Sequence, residues 1–252
     1  MRLNQFLAHA GLGSRRAVEA LVTSGQVTLN GLLATLQSQV DPKRDLVRLN
    51  GRSVVLPEQY TYLALHKPAG YTVTREDTHA RRNVYELLPA RFRRLAYVGR
   101  LDRDSEGLLL FSDDGELNHR ILLPKHKVER EYKVRIEGVW TEEVGRLMKA
   151  GVSFPEGPPL AAVRVELLNS FPGGAELGVV LQEGKKREIR RLCASFHLAV
   201  TRLCRVRFGP VELADLAPGQ TRELTSAEVC ALRRLAHLDI IGFPAGPGTA
   251  TL

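Results

Sequence analysis

The sequence predicts an α+β fold with a largely antiparallel sheet, preceded by a small separate unit. Short strand-like runs are interspersed with helical segments along the 252 residues, and this mixture is typical of α+β proteins. A linker around residues 56–59 separates the small unit from the rest. The composition, 44% hydrophobic and 25% charged, is that of an ordinary globular chain, so wholesale disorder is not expected.

The small unit is predicted to combine two helices with strand-like runs. Apolar residues at helical spacing predict a first helix over residues 3–10, which Gly11-Leu12-Gly13 ends. Ser14 is a good N-cap for a second helix. Runs at 27–29 and 47–49 predict strands, and each is followed by Asn-Gly. Asn-Gly is a strong tight-turn signal, because both central positions of a type I′ turn need positive φ.

The larger part holds the remaining elements. Buried-looking or alternating apolar runs predict its strands, and amphipathic segments predict its helices. In the run 131–136, for example, Tyr132, Val134 and Ile136 fall on one face. The predicted strands are 62–66, 95–98, 108–111, 131–136, 163–167, 177–181 and 200–206, and the predicted helices are 83–89, 115–123, 141–150, 186–196 and 226–237. A Gly/Pro-rich tail, residues 241–252, is expected to be flexible.

Composition also limits the class of protein. No apolar run approaches the roughly 18 residues of a membrane span, and the N-terminus lacks the apolar stretch of a signal peptide. Cys193, Cys204 and Cys230 have no CxxC spacing, so they predict neither a disulfide framework nor a zinc site. We therefore expect a soluble protein of a reducing cytoplasm.

The distribution of charge points to a polyanionic partner. The chain has 36 Lys and Arg against 28 Asp and Glu, a formal net charge of +8. Between Glu183 and Arg207, eight basic residues stand against two acidic ones. Such a patch favours nucleic acid, because each phosphate contact releases condensed counterions. Arg15 and Arg16 lie in the first turn of the second helix and oppose its dipole, so they are either phosphate ligands or solvated arginines.

An acid-rich segment, residues 99–115, lies between two apolar strands, which can deliver a carboxylate into a cleft from rigid supports. Three interpretations are open. Acids such as Asp113 and Asp114 can form turns and caps. Asp102 and Asp104 give a weak signal for a metal site. Finally, Asp102 can be a single functional carboxylate beside arginines.

Several motifs, in order along nearly the whole chain, resemble those of bacterial rRNA pseudouridine synthases of the RsuA/RluB branch. The run Gly99-Arg100-Leu101-Asp102-x-x-Ser105-x-Gly107 is similar to the catalytic signature of that family. Its other motifs resemble Lys67-Pro68-x-Gly70, Glu131-Tyr132-x-Val134 and the run 184–191. The last motif departs from the family pattern, because Lys185, Glu188 and Leu192 stand where Arg, Gln and Met are more usual.

The resemblance implies an S4 RNA-binding domain at residues 1–58 and a pseudouridine synthase catalytic domain at 59–240. The implied reaction converts a uridine within RNA to pseudouridine. The N1–C1′ bond breaks, the uracil rotates, and C5 joins C1′, with no metal or other cofactor.

Roles for individual residues also follow from the resemblance. Asp102 is implied as the carboxylate that attacks C1′ or removes a C2′ proton. A neighbouring arginine can lower its pKa by about 1–3 units, and the family pattern assigns that place to Arg190. Tyr132 is implied to stack on the uracil and help remove the C5 proton. RNA contacts are implied for Arg100, Leu101, Arg15, Arg16, Lys67, Lys185, Lys186, Arg187 and Arg191, although a solvated loop position is an equal alternative for Lys67.

The implied partner is ribosomal RNA, free or within a pre-ribosomal particle, and the chain is expected to be a monomer. Runs 130–132 and 205–210 look closer to family members acting on 23S rRNA than on 16S rRNA. A 16S enzyme, a catalytically inactive rRNA-binding assembly factor and a metal-dependent phosphohydrolase are the alternatives. A Cys–His hydrolase is a weaker one, resting on Cys193 and His197 sharing a helix face.

Overall fold

The computed structural model describes residues 1–13, 15–57, 59–75, 82–155 and 157–238. It divides into two compact units, Met1–Thr61 together with Asp113–Gly115, and Tyr62–Ser112 together with the chain from Glu116 onward. The predicted cap Ser14 and the predicted tail lie outside the described residues. So does residue 58, and the domain boundary placed there stays a prediction.

The N-terminal unit packs two helices on a small antiparallel sheet. The helices are α1 (Leu3–His9) and α2 (Arg15–Thr23), and the strands are β1 (Val27–Leu29), β2 (Leu32–Leu33), β3 (Val47–Leu49) and β4 (Arg52–Val54). The strand order is β2-β1-β3-β4. Asn30 and Asn50 both have positive φ, 53° and 50°, as the two Asn-Gly turns predict. Strands β2 and β4, which the prediction lacked, follow directly from these turns.

The larger unit is built on a nine-stranded sheet. The remaining strands are β5 (Tyr62–Lys67), β6 (Ala96–Val98), β7 (Glu106–Ser112), β8 (Arg130–Glu137), β9 (Arg164–Phe171), β10 (Gly174–Leu181), β11 (Ala199–Phe208), β12 (Val211–Glu212) and β13 (Thr221–Glu223). The order is β13-β5-β7-β11-β8-β10-β9, with β6 paired to β7 and β12 to β11. The β7–β11 pair is parallel and the others are antiparallel, which confirms the predicted fold class.

Four α-helices accompany this sheet in the described chain: α3 (Gly115–Arg120), α4 (Glu142–Ala150), α5 (Glu188–Ala194) and α6 (Ser226–Leu235). Short 3-10 helices occur at Val84–Leu87, Ala90–Phe92 and Pro124–His126. The Thr141 hydroxyl accepts a hydrogen bond from the Val144 backbone and so caps α4, as predicted. None of the helices in the described parts of the chain has the length and apolarity that crossing a bilayer requires.

Burial along β8 follows the predicted alternation. Tyr132, Val134 and Ile136 are buried, while the intervening Lys133 and Arg135 are exposed. The buried face joins the main core, together with side chains from β10 and α5. One face of the sheet is therefore covered by the core, and the loops at the strand ends are attached to this packed sheet.

Several predicted helices are shorter than expected, and the one predicted over 83–89 is a 3-10 helix, Val84–Leu87. The helix predicted over 186–196 begins at Glu188, because Arg187 has a left-handed backbone (φ 51°) and lies in a turn before it. This helix ends at Ala194, and His197 lies beyond it with φ 56°, so Cys193 and His197 do not share a helix face. The helix predicted over 115–123 ends at Arg120, where the hydrogen bonds tighten to an i to i+3 pattern.

Candidate active site

A cavity of about 650 Å³ in the larger unit collects most of the predicted site residues. Its lining includes the loop before β7, the turn before α5 and part of β8. The predicted site residues that line it are Arg100, Leu101, Asp102, Tyr132, Lys185, Lys186 and Arg187. Residues more than 80 positions apart in the sequence are thus brought to one cleft.

Asp102 lies in the loop that joins β6 to β7. These two strands pair antiparallel, and β7 is also hydrogen-bonded to β5 and β11 within the sheet. Asp102 is half-buried, and its carboxylate makes no hydrogen bond or ion pair with another described residue. Its backbone carbonyl accepts a hydrogen bond from the Ser105 N–H at 3.1 Å, which tightens the loop. The ends of two paired strands within the sheet therefore present a carboxylate that is available to a ligand.

Lys67 was predicted to contact RNA or to be solvated, and both predictions are wrong because its side chain is fully buried. It lies at the end of β5, and its ammonium donates to three backbone carbonyls. The Nζ–O distances are 3.0 Å to Pro68, 3.2 Å to Arg103 and 2.6 Å to Ser105. Burial lowers the pKa of Lys67 to about 8, although the nearby Asp104, Asp102 and Glu106 oppose the shift. Lys67 thus fixes the backbone of the loop that carries Asp102.

Gly70 completes this support. Its N–H donates to the Arg103 carbonyl at 2.7 Å, and the Arg103 Nε donates back to the Gly70 carbonyl at 3.2 Å. The Lys67-Pro68-x-Gly70 motif therefore braces the loop that carries Asp102, and this explains in physical terms why both motifs occur together.

The glycine that closes the loop motif is required by a close backbone contact. Gly107 has φ +104° and pairs with Arg205 across the parallel β7–β11 contact. A Cβ at this position would lie 2.3 Å from the Arg205 carbonyl oxygen. Glycine alone allows the loop to enter β7 this close to β11.

The cavity combines an apolar wall with a cationic rim. Tyr132 and Leu101, each 8% exposed, line it together with Leu181, Ile189 and Leu203. Arg100, Lys186 and Arg187 are exposed at its rim. A planar base can stack on such a wall while the rim attracts its phosphates.

Comparison with known proteins agrees with this geometry. Residues 61–195 match the family model described as RNA pseudouridylate synthase, and residues 1–46 match the S4 domain. An uncharacterized RNA pseudouridine synthase of Mycobacterium tuberculosis is 37% identical over 94% of this chain and 95% of that protein. Ribosomal large subunit pseudouridine synthase B of Vibrio vulnificus is 40% identical over 94% of this chain and 76% of that protein. A crystal structure of a pseudouridylate synthase has a TM-score of 0.67 and 26% identity, covering 92% of this chain and 99% of that one.

This chain belongs to the RNA pseudouridine synthase family. Its activity is therefore the isomerisation of uridine in RNA, and its N-terminal unit carries an S4 RNA-binding domain.

The structure corrects the place expected for Arg190 in the synthase. The family pattern assigned it to the side of Asp102, but its guanidinium makes its ion pair with Asp104, at 3.1 Å between Nη2 and Oδ2. It also donates to the carbonyls of Asp104 (3.2 Å) and Val200 (3.0 Å). Arg187 approaches the same carboxylate at 3.6 Å. Two arginines thus tie the loop to α5 through Asp104, while no ion pair joins either of them to Asp102.

The remaining predicted contacts of the synthase are not among the residues that line the cavity. Arg191 places its guanidinium 4.2 Å from the centre of the Phe154 ring and does not line the cavity. Arg16 is exposed on α2 in the N-terminal unit, and the side chain of Arg15 is outside what the structure describes. These positions stay predicted RNA contacts.

Two buried arginines near the site were missed as functional candidates. Arg130 and Arg205 are 5% and 2% exposed. The alternation of β8 places Arg130 on the same buried face as Tyr132, so a signal for it was present in the sequence. Arg205 carried no such signal, because strand β11 has register irregularities on both sides of it.

The cysteines of the synthase are free. Burial raises the thiol pKa of Cys193 to about 12 and that of Cys204 to about 11. Within the described ranges, no three His, Cys, Asp or Glu side chains are grouped as a metal site would require.

Proposed function

We propose that this synthase isomerises one specific uridine of 23S rRNA, with Asp102 as its catalytic carboxylate. The observation that carries the proposal is the half-buried Asp102 with no protein partner among the described residues, in a cleft that Tyr132 also lines. The large-subunit enzyme name of the Vibrio vulnificus relative supports 23S rRNA over 16S rRNA. We further propose that the synthase acts as a monomer in the cytoplasm.

In the proposed reaction, the Asp102 carboxylate attacks C1′ or removes the C2′ proton, and the N1–C1′ bond breaks. The released uracil rotates in the cleft, and its C5 forms the new bond to C1′ while the Asp102–C1′ bond breaks or, on the second route, the C2′ proton returns from Asp102. The C5 proton then leaves, and N1 gains a proton. Atoms balance without any other reactant.

Tyr132 is proposed to hold the base during this rotation. Moving a base out of its stack costs a few kcal/mol, and stacking on an aromatic side chain recovers about 1–3 kcal/mol. The Tyr132 ring lines the cavity with apolar neighbours, which suits that role. Its hydroxyl is proposed to help remove the C5 proton.

Arg190 is proposed as a positioning residue. It holds Asp104, two residues beyond Asp102, and so fixes the loop without touching the Asp102 carboxylate. Arg100, Leu101, Lys185, Lys186 and Arg187 are proposed to contact the target nucleotide and its neighbours, and the arginines of α2 to anchor more distant rRNA. Arg191 is proposed as a structural or peripheral RNA contact.

Pseudouridine mapping in cells tests the substrate. Carbodiimide labelling and primer extension on 23S and 16S rRNA, with and without this gene, should show the loss of one 23S site. Wild type should restore the site and Asp102→Asn should not. Loss of a 16S site instead would contradict the substrate. If no site is lost in either rRNA, an assembly factor becomes the better proposal.

A further inference from the structure

A second cavity adjoins the proposed active site. It has a volume of about 370 Å³, and Gly99, Arg100, Tyr132, Gly184 and Lys185 line both cavities. Arg130, Arg205 and Phe208 line the second cavity only. The two cavities therefore share a wall that includes Tyr132, and the second one adds two arginines that the proposed reaction does not use.

Arg205 is held by the protein at one end of its guanidinium. Its Nε donates to the Leu108 carbonyl at 2.7 Å. Its Nη2 is buried and has no hydrogen-bond partner among the described residues. Arg130 donates to the carbonyls of Gln182 (2.8 Å) and Ile121 (3.5 Å). The Phe208 ring centre is 5.3 Å from the guanidinium carbon of Arg205 and 5.1 Å from that of Arg130.

Neither arginine forms an ion pair with a described carboxylate. Glu183, which also lines the cavity, pairs with Lys185 at 2.5 Å. Glu188 accepts a hydrogen bond from the Lys185 N–H, and burial raises the pKa of its carboxyl. Buried charges in proteins are normally paired, because removing an ion from water is costly. Two buried guanidinium groups beside an open cavity therefore favour an anionic ligand.

Phosphate is the anion that best fits these groups. A guanidinium presents a planar set of donors that matches phosphate oxygens, and charge-assisted hydrogen bonds are stronger than neutral ones. The shared wall places such an anion beside the cavity assigned to the target base, and an RNA strand carries a phosphate on each side of every nucleotide.

We propose that this second cavity binds an RNA phosphate next to the target uridine, through Arg205 and Arg130. The proposal rests on the proposed function of the first cavity. The phosphate would fix the strand on one side of Tyr132 while the uracil occupies the other side. A free phosphate ion has the same chemistry, so the experiment must separate these two sources.

The test compares RNA binding by full-length variants over a range of KCl concentrations. A 23S rRNA transcript is the probe, and every protein carries Asp102→Asn so that the RNA is not converted. Arg205→Met and Arg130→Met are each expected to lower the slope of log affinity against log salt by about 0.7 per lost phosphate contact. Arg205→Lys keeps the charge and should keep the slope with weaker binding. Arg222→Met is the matched control, because Arg222 lies outside the patch at residues 183–207, lines neither cavity and pairs with Glu228 at 2.7 Å.

Thermal unfolding of each variant shows which ones are folded. If Arg205→Met does not fold, Arg130→Met tests the proposal in its place. A folded variant at either arginine with the unchanged slope of the control would overturn the proposal. So would inorganic phosphate that raises the Tm in an Arg205-dependent way without weakening RNA binding, because the site would then take a free ion. Isomerisation is measured in parallel with proteins that retain Asp102. If that activity is absent on both rRNAs while the slope still falls, the proposed function fails and the phosphate site stands.

Discussion

At the scale of single residues, the buried Lys67 shows how the proposed active site is held in place. Its ammonium bonds to the carbonyls of Pro68, Arg103 and Ser105, so that one side chain fixes both ends of the segment after Asp102. A lysine in a loop motif is usually exposed, and sequence alone therefore favoured a surface role. The burial depends on β5 and β7 pairing, which is not visible in the local sequence.

Lys67→Met is expected to destabilise the synthase by about 1–3 kcal/mol at pH 7, because buried carbonyls lose their donor. The kcat should fall more than RNA affinity, since the loop moves while the basic rim is retained. Urea unfolding and parallel kinetic and binding assays measure these effects. An unchanged kcat in the folded variant would contradict the positioning role.

The pH dependence of stability gives a second test of Lys67. Between about pH 8 and 10.5, the unfolded lysine still holds a proton that the folded one has released. The unfolded state therefore binds more protons, and the wild type gains stability relative to Lys67→Met as the pH rises through this window. Urea unfolding of both proteins at pH 7.0, 8.5 and 9.5 should show a widening gap. A constant gap would mean that Lys67 is not desolvated.

At the scale of elements, the parallel contact of β7 with β11 positions the loop that carries Asp102. It brings the backbone of Gly107 against that of Arg205, and it links the loop motif to a strand about 100 residues later. The contact also places Arg205 in the lining of the second cavity. The loop, its bracing motif and the buried arginine thus form one continuous support.

Gly107→Ala and Gly70→Ala separate the energetic cost of backbone strain from that of a steric clash. Both glycines have positive φ, +104° and +93°, but a Cβ at Gly70 meets nothing within 4 Å. Gly70→Ala should therefore cost only the backbone strain, about 1–3 kcal/mol. Gly107→Ala should cost more, because its Cβ also clashes with Arg205. Urea unfolding measures both, and equal losses would show that the close contact is unimportant.

The sequence predicted local features of these elements better than contacts between them. The period-two pattern of β8 and the cap at Thr141 are local, and both are confirmed. Helix α5 is shorter than predicted because Arg187 has a left-handed backbone. The prediction missed this turn, since nothing in a basic, helix-favouring run signals it. Arg190 was misplaced because its partner was assigned by motif, whereas the loop turns Asp104 towards it instead of Asp102. Such pairings depend on side-chain direction, which a motif does not specify.

At the scale of the whole molecule, basic residues occur in both compact units. The net charge of +8 combines a patch around residues 183–207 with arginines of the S4 domain. Binding of rRNA by both units would give a steep salt dependence, since each phosphate contact contributes to the slope. Specific isomerisation would then reside in the larger unit, while both units would contribute to general RNA affinity.

Substituting both Arg15 and Arg16 by Gln should weaken rRNA binding and reduce the log–log salt slope by about 0.7–0.9 per lost phosphate contact. The kcat at saturating RNA should be little changed. Arg44→Gln is the control, because Arg44 is an exposed arginine of the same unit that pairs weakly with Asp41 at 3.8 Å. If the double variant keeps the slope of the control, these arginines do not anchor the RNA.

Tritium release shows whether Asp102 performs the isomerisation. Forming the C5–C1′ bond expels the hydrogen of C5, so rRNA transcribed with 5-tritiated uridine releases tritium at each turnover. Purified wild type should release about one tritium per 23S molecule. Asp102→Asn should release none while binding the RNA with affinity within about twofold, because the amide occupies the same space without a charge. Release by Asp102→Asn at the wild-type rate would mean that Asp102 is not the catalytic carboxylate.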